Sequence, residues 1–173
     1  AMEMVAAAKM RRAQASLLSA RPYATKMQEL LSHVAAMPVD NLDDLHPLLR
    51  NRPIRNIEII QVTPDRGMCG GLVGNINRRT GGFILESEAS SSIIAVGKKG
   101  RDFMVRTSRD VRASFTELGD RPRLSDTTAI SWIAMDDFTN EVCDAVFLAY
   151  TEFVNTAVQQ PIVRQLLPVQ PAE

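Results

Sequence analysis

The chain has 173 residues, of which 45% are apolar and 23% are charged, the composition of a globular domain. No uninterrupted apolar run approaches the roughly 20 residues that a membrane span requires. The two cysteines lie far apart and form no CxxC pair, which argues against a disulfide scaffold or a zinc site.

The formal net charge is zero, but the charges are unevenly distributed. Residues 1–31 contain five basic and two acidic side chains, and residues 32–116 contain twelve and nine. Residues 117–173 contain three basic and nine acidic side chains. A basic helix at one end and an acidic surface at the other suit a protein that contacts different partners, although ordinary solvated faces explain the pattern equally well.

Residues 1–35 are predicted to form one long helix, because Ala, Met, Lys, Arg and Gln dominate this segment. Apolar side chains recur at alternating steps of about four and three, the pattern of a coiled-coil seam. Such a helix is about 50 Å long, and its seam can be buried only against another helix. Pro22 is expected to kink it or to open its hydrogen bonding locally. The seam begins with Met2, Ala6, Met10, Ala13, Leu17 and Ala20.

The pattern predicts three parts: a shaft helix over 1–37, a linker over 38–53, and an α/β globular domain over 54–173. Within the domain, predicted strands alternate with predicted helices, which indicates a Rossmann-like, mainly parallel sheet covered on both faces. The last strand, bounded by prolines, is expected at an edge of the sheet. The strands are predicted at 54–63, 93–96, 111–115, 145–150 and 162–167, and the helices at 72–85, 98–105 and 125–140, the last with Ser125 as its N-cap.

No catalytic site is recognisable. His33 and His46 have no metal-ligand spacing and are interpreted as surface residues, and the GxSxG, HExxH, GxxxxGK[ST] and GxGxxG patterns are absent. Cys69 has no His or acidic neighbour that would make it a nucleophile, so a packed side chain is favoured. Trp132 lies between Ile130 and Ile133 on a predicted helix and is interpreted as a core residue.

The glycine-rich turn Gly67–Gly74 follows a predicted strand and opens a predicted helix, so its N–H groups could receive an anion. Its glycine spacing fits no nucleotide fingerprint, and no Lys stands where a phosphate would need one. A structural turn is therefore favoured, and an α/β enzyme that binds a nucleotide there is the alternative. A basic helix that binds a membrane or nucleic acid is disfavoured, because residues 1–20 contain no aromatic residue.

Three segments resemble the gamma subunit family of F-type ATP synthases, in the family's order. AMEMVAAAKMRRAQ at 1–14, followed by ARPYA at 20–24, resembles the N-terminal shaft helix. TPDRGMCGGLVGNIN at 63–77 is similar to the hallmark loop (S/T)DRGLCGGLN, with mild departures at Pro64 and Met68. PIVRQLLPV at 161–169 resembles the segment before the C-terminal shaft helix. The resemblance implies a chain that lacks both ends of a two-helix shaft, the second helix being the missing partner of the seam.

The resemblance implies a non-catalytic rotor shaft, without cofactor or metal, that couples rotation of the membrane c-ring to ATP synthesis or hydrolysis at the beta subunits. The implied partners are three alpha and three beta subunits around one gamma, an epsilon subunit and the c-ring, with neither nucleic acid nor direct membrane insertion. The implied place is the cytoplasmic face of a bacterial plasma membrane, or an organellar or thylakoid membrane. The expected contacts with beta are Lys9, Arg11, Arg12, Arg66, Gly67, Met68, Cys69, Gly70 and Gly71.

Overall fold

The structure, a computed structural model, describes residues 2–38, 45–119 and 121–171 and divides the chain into two compact units. The first unit comprises residues 1–42 and 169–173, and the second comprises residues 43–168. The first contains the predicted long helix, α1, at Met2–Ala35, which remains helical through Pro22. No residue of α1 is buried, so its apolar seam is exposed along its length.

The second unit is a five-stranded sheet with helices on both faces. The strands are β1 at Asn56–Val62, β2 at Ser90–Val96, β3 at Asp110–Phe115, β4 at Ala145–Phe153 and β5 at Gln159–Leu167. The helices are α2 at Leu72–Glu86, α3 at Lys98–Arg106 and α4 at Leu124–Thr139, and a short 3₁₀ helix covers Pro47–Leu49. The strand order is β3-β2-β1-β4-β5, with β5 antiparallel to β4 and the other pairs parallel. The predicted mainly parallel sheet is confirmed.

The main core lies between the sheet and helices α2 and α3. Residues 57–61 of the central strand β1 are all buried, as expected for a parallel strand covered on both faces. Ile59 and Ile93 from the sheet pack with Ile76 of α2 and Met104 of α3, and each of the four is at most 1% exposed. Close apolar packing of this kind supplies most of the stabilisation of such a domain.

Helix α4 corrects two expectations. It begins at Leu124, one residue before the predicted Ser125, and its N-cap is Arg123, whose N–H donates to the Asp126 carboxylate at 2.6 Å. Ser125 therefore lies in the first turn and is not the cap. Trp132 is 66% exposed and is not a core residue. The buried positions of α4 follow the spacing of Ile130, Ala134 and Phe138, and Trp132 lies on another face of the helix.

A partly buried ionic cluster joins α4 to the sheet. The guanidinium of Arg112 on β3 donates two hydrogen bonds, of 3.0 and 3.1 Å, to the carboxylate of Asp137 on α4. Glu58 on β1 is only 1% exposed, and its Oε1 has no hydrogen-bond partner. Burial, followed by the neighbouring Asp137 carboxylate, raises the pKa of Glu58 to about 8. Hydrogen bonding from Arg112 lowers the pKa of Asp137, so Glu58 is the member of the cluster that holds a proton at neutral pH.

We expect the free energy of unfolding to fall as the pH rises from about 5 to about 8. The unfolded chain releases the Glu58 proton near the ordinary pKa of 4.5, whereas the folded domain keeps it up to about 8. The contribution of this proton is therefore complete below 4.5 and is lost towards pH 8, by at most about 1.4 kcal/mol per pH unit. Urea denaturation at several pH values in this window measures the slope.

Glu58→Gln keeps the size of the side chain but removes its titration, so it should flatten this slope. Asp102→Asn is the matched control, because Arg101 lowers the pKa of the surface carboxylate Asp102 and keeps it ionised throughout the window. A wild-type slope in Glu58→Gln would mean that Glu58 is already ionised in the folded domain.

Candidate functional site

The base of the glycine-rich turn is fixed by two side chains that directly follow β1. The hydroxyl of Thr63 accepts a hydrogen bond from the Gly100 N–H at 2.8 Å and donates to the Val96 carbonyl at 3.3 Å. One carboxylate oxygen of Asp65 accepts from the Lys98 N–H at 2.8 Å. The other accepts from the Glu117 N–H at 2.9 Å. Asp65 therefore occupies the N-terminus of α3 and ties it to the segment after β3.

The chain approaches itself too closely at this junction for a side chain at position 97. Gly97 has a φ of +97°, and a Cβ there would lie 1.8 Å from the Thr63 carbonyl oxygen. A Cβ at Gly100 would lie 2.8 Å from the Thr63 hydroxyl. The ends of β1 and β2 are thus held in a fixed geometry by backbone contact, and the turn starts from a rigid base.

The tip of the turn, Arg66–Gly71, points outward from this base. Met68 is fully exposed and has a φ of +61°, a conformation that costs an L-residue roughly 1–2 kcal/mol. Cys69 is half-buried, and Gly70 also has a positive φ of +59°. Neither the strained backbone at Met68 nor its exposed side chain contributes to the stability of the described part of the chain. This combination is typical of a contact surface.

A cleft of about 870 Å³ lies beside the base of the turn, at the carboxyl ends of the parallel strands. Small-molecule sites of α/β folds commonly occur at this edge of the sheet. Its floor is apolar and includes Ile60, Val96 and Leu148, and its rim includes the basic side chains of Arg66 and Lys98. A phosphate at the adjacent start of α3 would have to displace the Asp65 carboxylate. None of residues 67–74 lines the cleft.

These observations favour a structural turn over a nucleotide-binding one. Within residues 2–38, 45–119 and 121–171, no group of three or more His, Cys, Asp or Glu side chains is arranged to hold a metal ion. His33 and His46 are both exposed, as predicted. The His33 ring lies 2.7 Å from the Glu29 carbonyl, and His46 accepts from the Leu48 N–H, so each has a local structural partner.

The predicted contact residues on α1 form a basic arc. Lys9, Arg11 and Arg12 are all exposed. At about 100° per residue they span an arc of about 160°, on the side of the helix away from Met10. If a second helix covered the seam at Met10, the three basic side chains would still face outward. The basic arc and the turn Arg66–Gly71 belong to different compact units.

The seam residues lie on one helix, as predicted, and no other element covers them within the described residues. Met2, Met10 and Leu17 are exposed apolar side chains, and Ala6, Ala13 and Ala20 are exposed as well.

In the part of the chain that the structure describes, no helix is both long enough and apolar enough to cross a bilayer.

Sequence reasoning did not identify the functions of Thr63 and Asp65. A signal was available, because short polar residues directly after a parallel strand are well placed to bind the N–H groups of the next helix. Sequence reasoning also did not identify the buried pair of Glu58 and Asp137. A charged residue in the middle of the apolar strand NIEIIQV was its only local sign.

The family model and the relatives that we compared all point to ATP synthases. A family model described as "ATP synthase" matches residues 1–173. An ATP synthase gamma chain of Dehalococcoides mccartyi is 52% identical over all of this chain, which covers 60% of that relative. A second, from a Roseiflexus species, is 43% identical over 99% of this chain and is also covered to 60%. The chain therefore spans about 60% of the length of these relatives.

Solved structures agree with the fold. The central stalk/c-ring structure of the Tetrahymena thermophila mitochondrial ATP synthase contains a chain with a TM-score of 0.70 and 25% identity, over 97% of this chain and 71% of that one. The rotor of the Euglena gracilis mitochondrial enzyme gives a TM-score of 0.63 at 19% identity, covering 95% of this chain and 56% of that one, a likeness of fold. The family match over the full length, the gamma chain relatives and the shared fold lead to one assignment. The chain belongs to the ATP synthase gamma chain family.

Proposed function

We propose that this chain is the non-catalytic shaft subunit of an F-type ATP synthase, which couples rotation of a membrane c-ring to ATP synthesis or hydrolysis at beta subunits. One observation carries the proposal. Helix α1 is 34 residues long, presents a continuous apolar seam, and buries none of its side chains. Most of the stability of helices in proteins comes from packing of an apolar face, so the role of this helix lies in contact with other helices.

The proposed partners follow from the surfaces. The seam pairs with a second helix to form the shaft, and the relatives extend well beyond the residues matched here. The shaft lies within a ring of alpha and beta subunits, and the α/β domain contacts an epsilon subunit and the c-ring. The small side chains of the seam, Ala6, Ala13 and Ala20, keep the shaft thin, and the basic arc is complementary to acidic loops of beta.

The absence of an active site is part of the proposal. Residues 67–74 contain no lysine, although the Lys99 side chain of α3 lies beside Gly67, and the N-terminus of α3 is filled by Asp65. ATP turnover is therefore assigned to the partner subunits, and we expect a hexameric ATPase to co-purify with the gene product that contains this chain. We propose that the complex lies peripherally at a membrane, on the cytoplasmic side in a bacterium.

Rotation can bias the beta sites only if the shaft contacts them differently in different states. The basic arc supplies such a contact, because it is exposed on one side of the helix. Each exposed ion pair contributes only about 0–1 kcal/mol, so one substitution should have a mild effect. Charges at the surface are also screened by salt, which gives the interaction a recognisable signature.

Reversing the arc with Lys9→Glu, Arg11→Glu and Arg12→Glu together should lower ATP-driven torque in the assembled complex without unfolding the α/β domain. Single-molecule rotation experiments over a range of salt concentrations measure the torque. The difference in torque between wild type and the triple variant should become smaller as the salt concentration rises. The control reverses three exposed charges of the domain, Lys98, Arg106 and Arg121. If the triple variant assembles with unchanged torque at every salt concentration, steric fit alone couples the shaft to beta.

The exposed tip of the turn gives a second prediction. Met68→Glu should leave the free energy of unfolding of the isolated chain unchanged, because the side chain contacts nothing within the α/β domain. It should weaken assembly with the alpha and beta subunits, because it puts a charge into an apolar contact. Urea denaturation and native gel analysis measure the two effects, and the exposed Leu85→Glu on α2 is the control. Normal assembly of Met68→Glu would remove Met68 from the contact surface.

A further inference from the structure

The segment that leads into β1 is attached to the α/β domain well before the strand begins. Residues 47–49 form a 3₁₀ helix whose side chains are half-buried. The Arg50 Nε donates to the Leu45 carbonyl at 3.1 Å, which closes the segment on itself. In the chain, this segment connects α1 to the domain, so any load carried along the backbone between them passes through residues 45–56.

Arg52 makes the principal attachment. Its Nε donates to a carboxylate oxygen of Asp144 at 2.9 Å, and its Nη2 donates to the Phe138 carbonyl at 2.6 Å and also to the Cys143 carbonyl. The guanidinium carbon lies 4.4 Å from the centre of the Phe138 ring, within the range of a cation–π contact. One side chain therefore binds the end of α4 and the loop that leads from α4 to β4.

Asp144 completes the attachment from the other side. Its second carboxylate oxygen accepts from the N–H groups of Arg55 and Asn56 at 2.8 and 2.9 Å, and its own N–H donates to the Asn56 carbonyl at 2.8 Å. Burial acts to raise the pKa of Asp144, but these N–H groups and the Arg52 guanidinium outweigh it and lower the pKa. The carboxylate is therefore ionised and fully engaged at neutral pH. We call these two residues and their bonds the Arg52–Asp144 clamp.

The geometry of the clamp resists rotation of the segment. Apolar contacts are non-directional and allow sliding, whereas a planar guanidinium that donates to three groups in different directions fixes both position and angle. The side chains of Arg52 and Asp144 are only 20% and 12% exposed, so water competes weakly for these bonds. Another ion pair between elements, Arg112–Asp137, has similar distances, and its two hydrogen bonds involve no residue of the segment 45–56.

We propose that Arg52 is a positioning residue for torque transmission, which anchors the chain from the shaft helix to the α/β domain through the Arg52–Asp144 clamp. This inference rests on the proposed rotor function. Losing the clamp removes the directional bonds that hold this segment to α4 and to the residues before β4, so a loss of torsional stiffness is expected at this connection.

The experiment uses the gene product that contains this chain, assembled with its alpha and beta subunits, with a probe on the α/β domain. Angular fluctuations of the stalled rotor give its torsional stiffness, and ATP-driven rotation is recorded on the same molecules. Arg52→Met removes the guanidinium but keeps an unbranched apolar side chain. Arg52→Lys keeps the positive charge but lacks the planar guanidinium that donates to three groups. Arg112→Met is the matched control, because it breaks an ion pair of similar geometry elsewhere in the domain.

We expect reduced stiffness in Arg52→Met, an intermediate value in Arg52→Lys, and the wild-type value in Arg112→Met even though its free energy of unfolding is lowered. Equal stiffness in wild type and Arg52→Met would overturn the proposal and leave the clamp a purely structural ion pair. If Arg52→Met does not assemble, Arg52→Lys and Asp144→Asn decide the question, and wild-type stiffness in both has the same consequence. Absence of rotation in the wild-type complex would instead contradict the proposed function.

Discussion

Helix α1 buries none of its side chains, so the apolar packing that stabilises a helix has to come from partners outside it. Helix α1 has excellent helix-forming residues, yet in proteins packing of an apolar face contributes more to the stability of a helix than propensity does. The second unit is the opposite case, since the central strand β1 is enclosed by α2 and α3 on one face and by α4 on the other. The chain thus combines a domain that has its own core with a helix whose apolar seam is exposed. In the proposed rotor function, this division would let the helix respond to its partners while the domain stays rigid.

The same division is repeated on a smaller scale in the hallmark loop. Thr63 and Asp65 turn inward and bind the N-terminus of α3, and the close approach at Gly97 leaves no room for movement there. A few residues later, Met68 turns outward in a strained conformation and buries nothing within the domain. Because the base is fixed by hydrogen bonds, the strain at the tip cannot relax by shifting the whole loop. The motif therefore contains both a rigid base, at Thr63 and Asp65, and an exposed surface, at Met68.

Sequence reasoning predicted elements well where a single period dominates and failed where tertiary contact decides. The seam of α1 and the alternation of strands and helices gave the fold, because both follow from short-range spacing. Trp132 was misplaced because a large apolar residue on a helix was assumed to face the core, while the face of α4 that packs is set by Ile130, Ala134 and Phe138. Ser125 was a reasonable cap by residue type, but the Arg123 N–H donates a hydrogen bond to the Asp126 carboxylate, and the helix begins one residue earlier, at Leu124.

The hydrogen bonds of Arg52 could not be predicted from the sequence, for a different reason. Its partner Asp144 lies 92 positions later in the chain, and only the fold brings the linker beside the end of α4. The same holds for Arg112 and Asp137, which are 25 positions apart on β3 and α4. Local patterns carry information about faces and ends of elements, and they carry little about pairs of this kind.

These ionic pairs also bear on what the domain is built to do. Replacing a partly buried ion pair by well-packed apolar groups often leaves stability unchanged or improves it, so stability alone is a weak explanation for them. What apolar packing does not provide is a fixed angle, because its free energy changes little when one surface slides over another. The forked bonds of Arg52 and the paired bonds of Arg112 each join two elements in a single orientation. In the proposed rotor, an angular displacement in the α/β domain is useful only if it reaches the shaft undiminished. We therefore interpret the two pairs as devices that keep the elements at a defined angle, at some expense in the stability that an apolar joint would have offered.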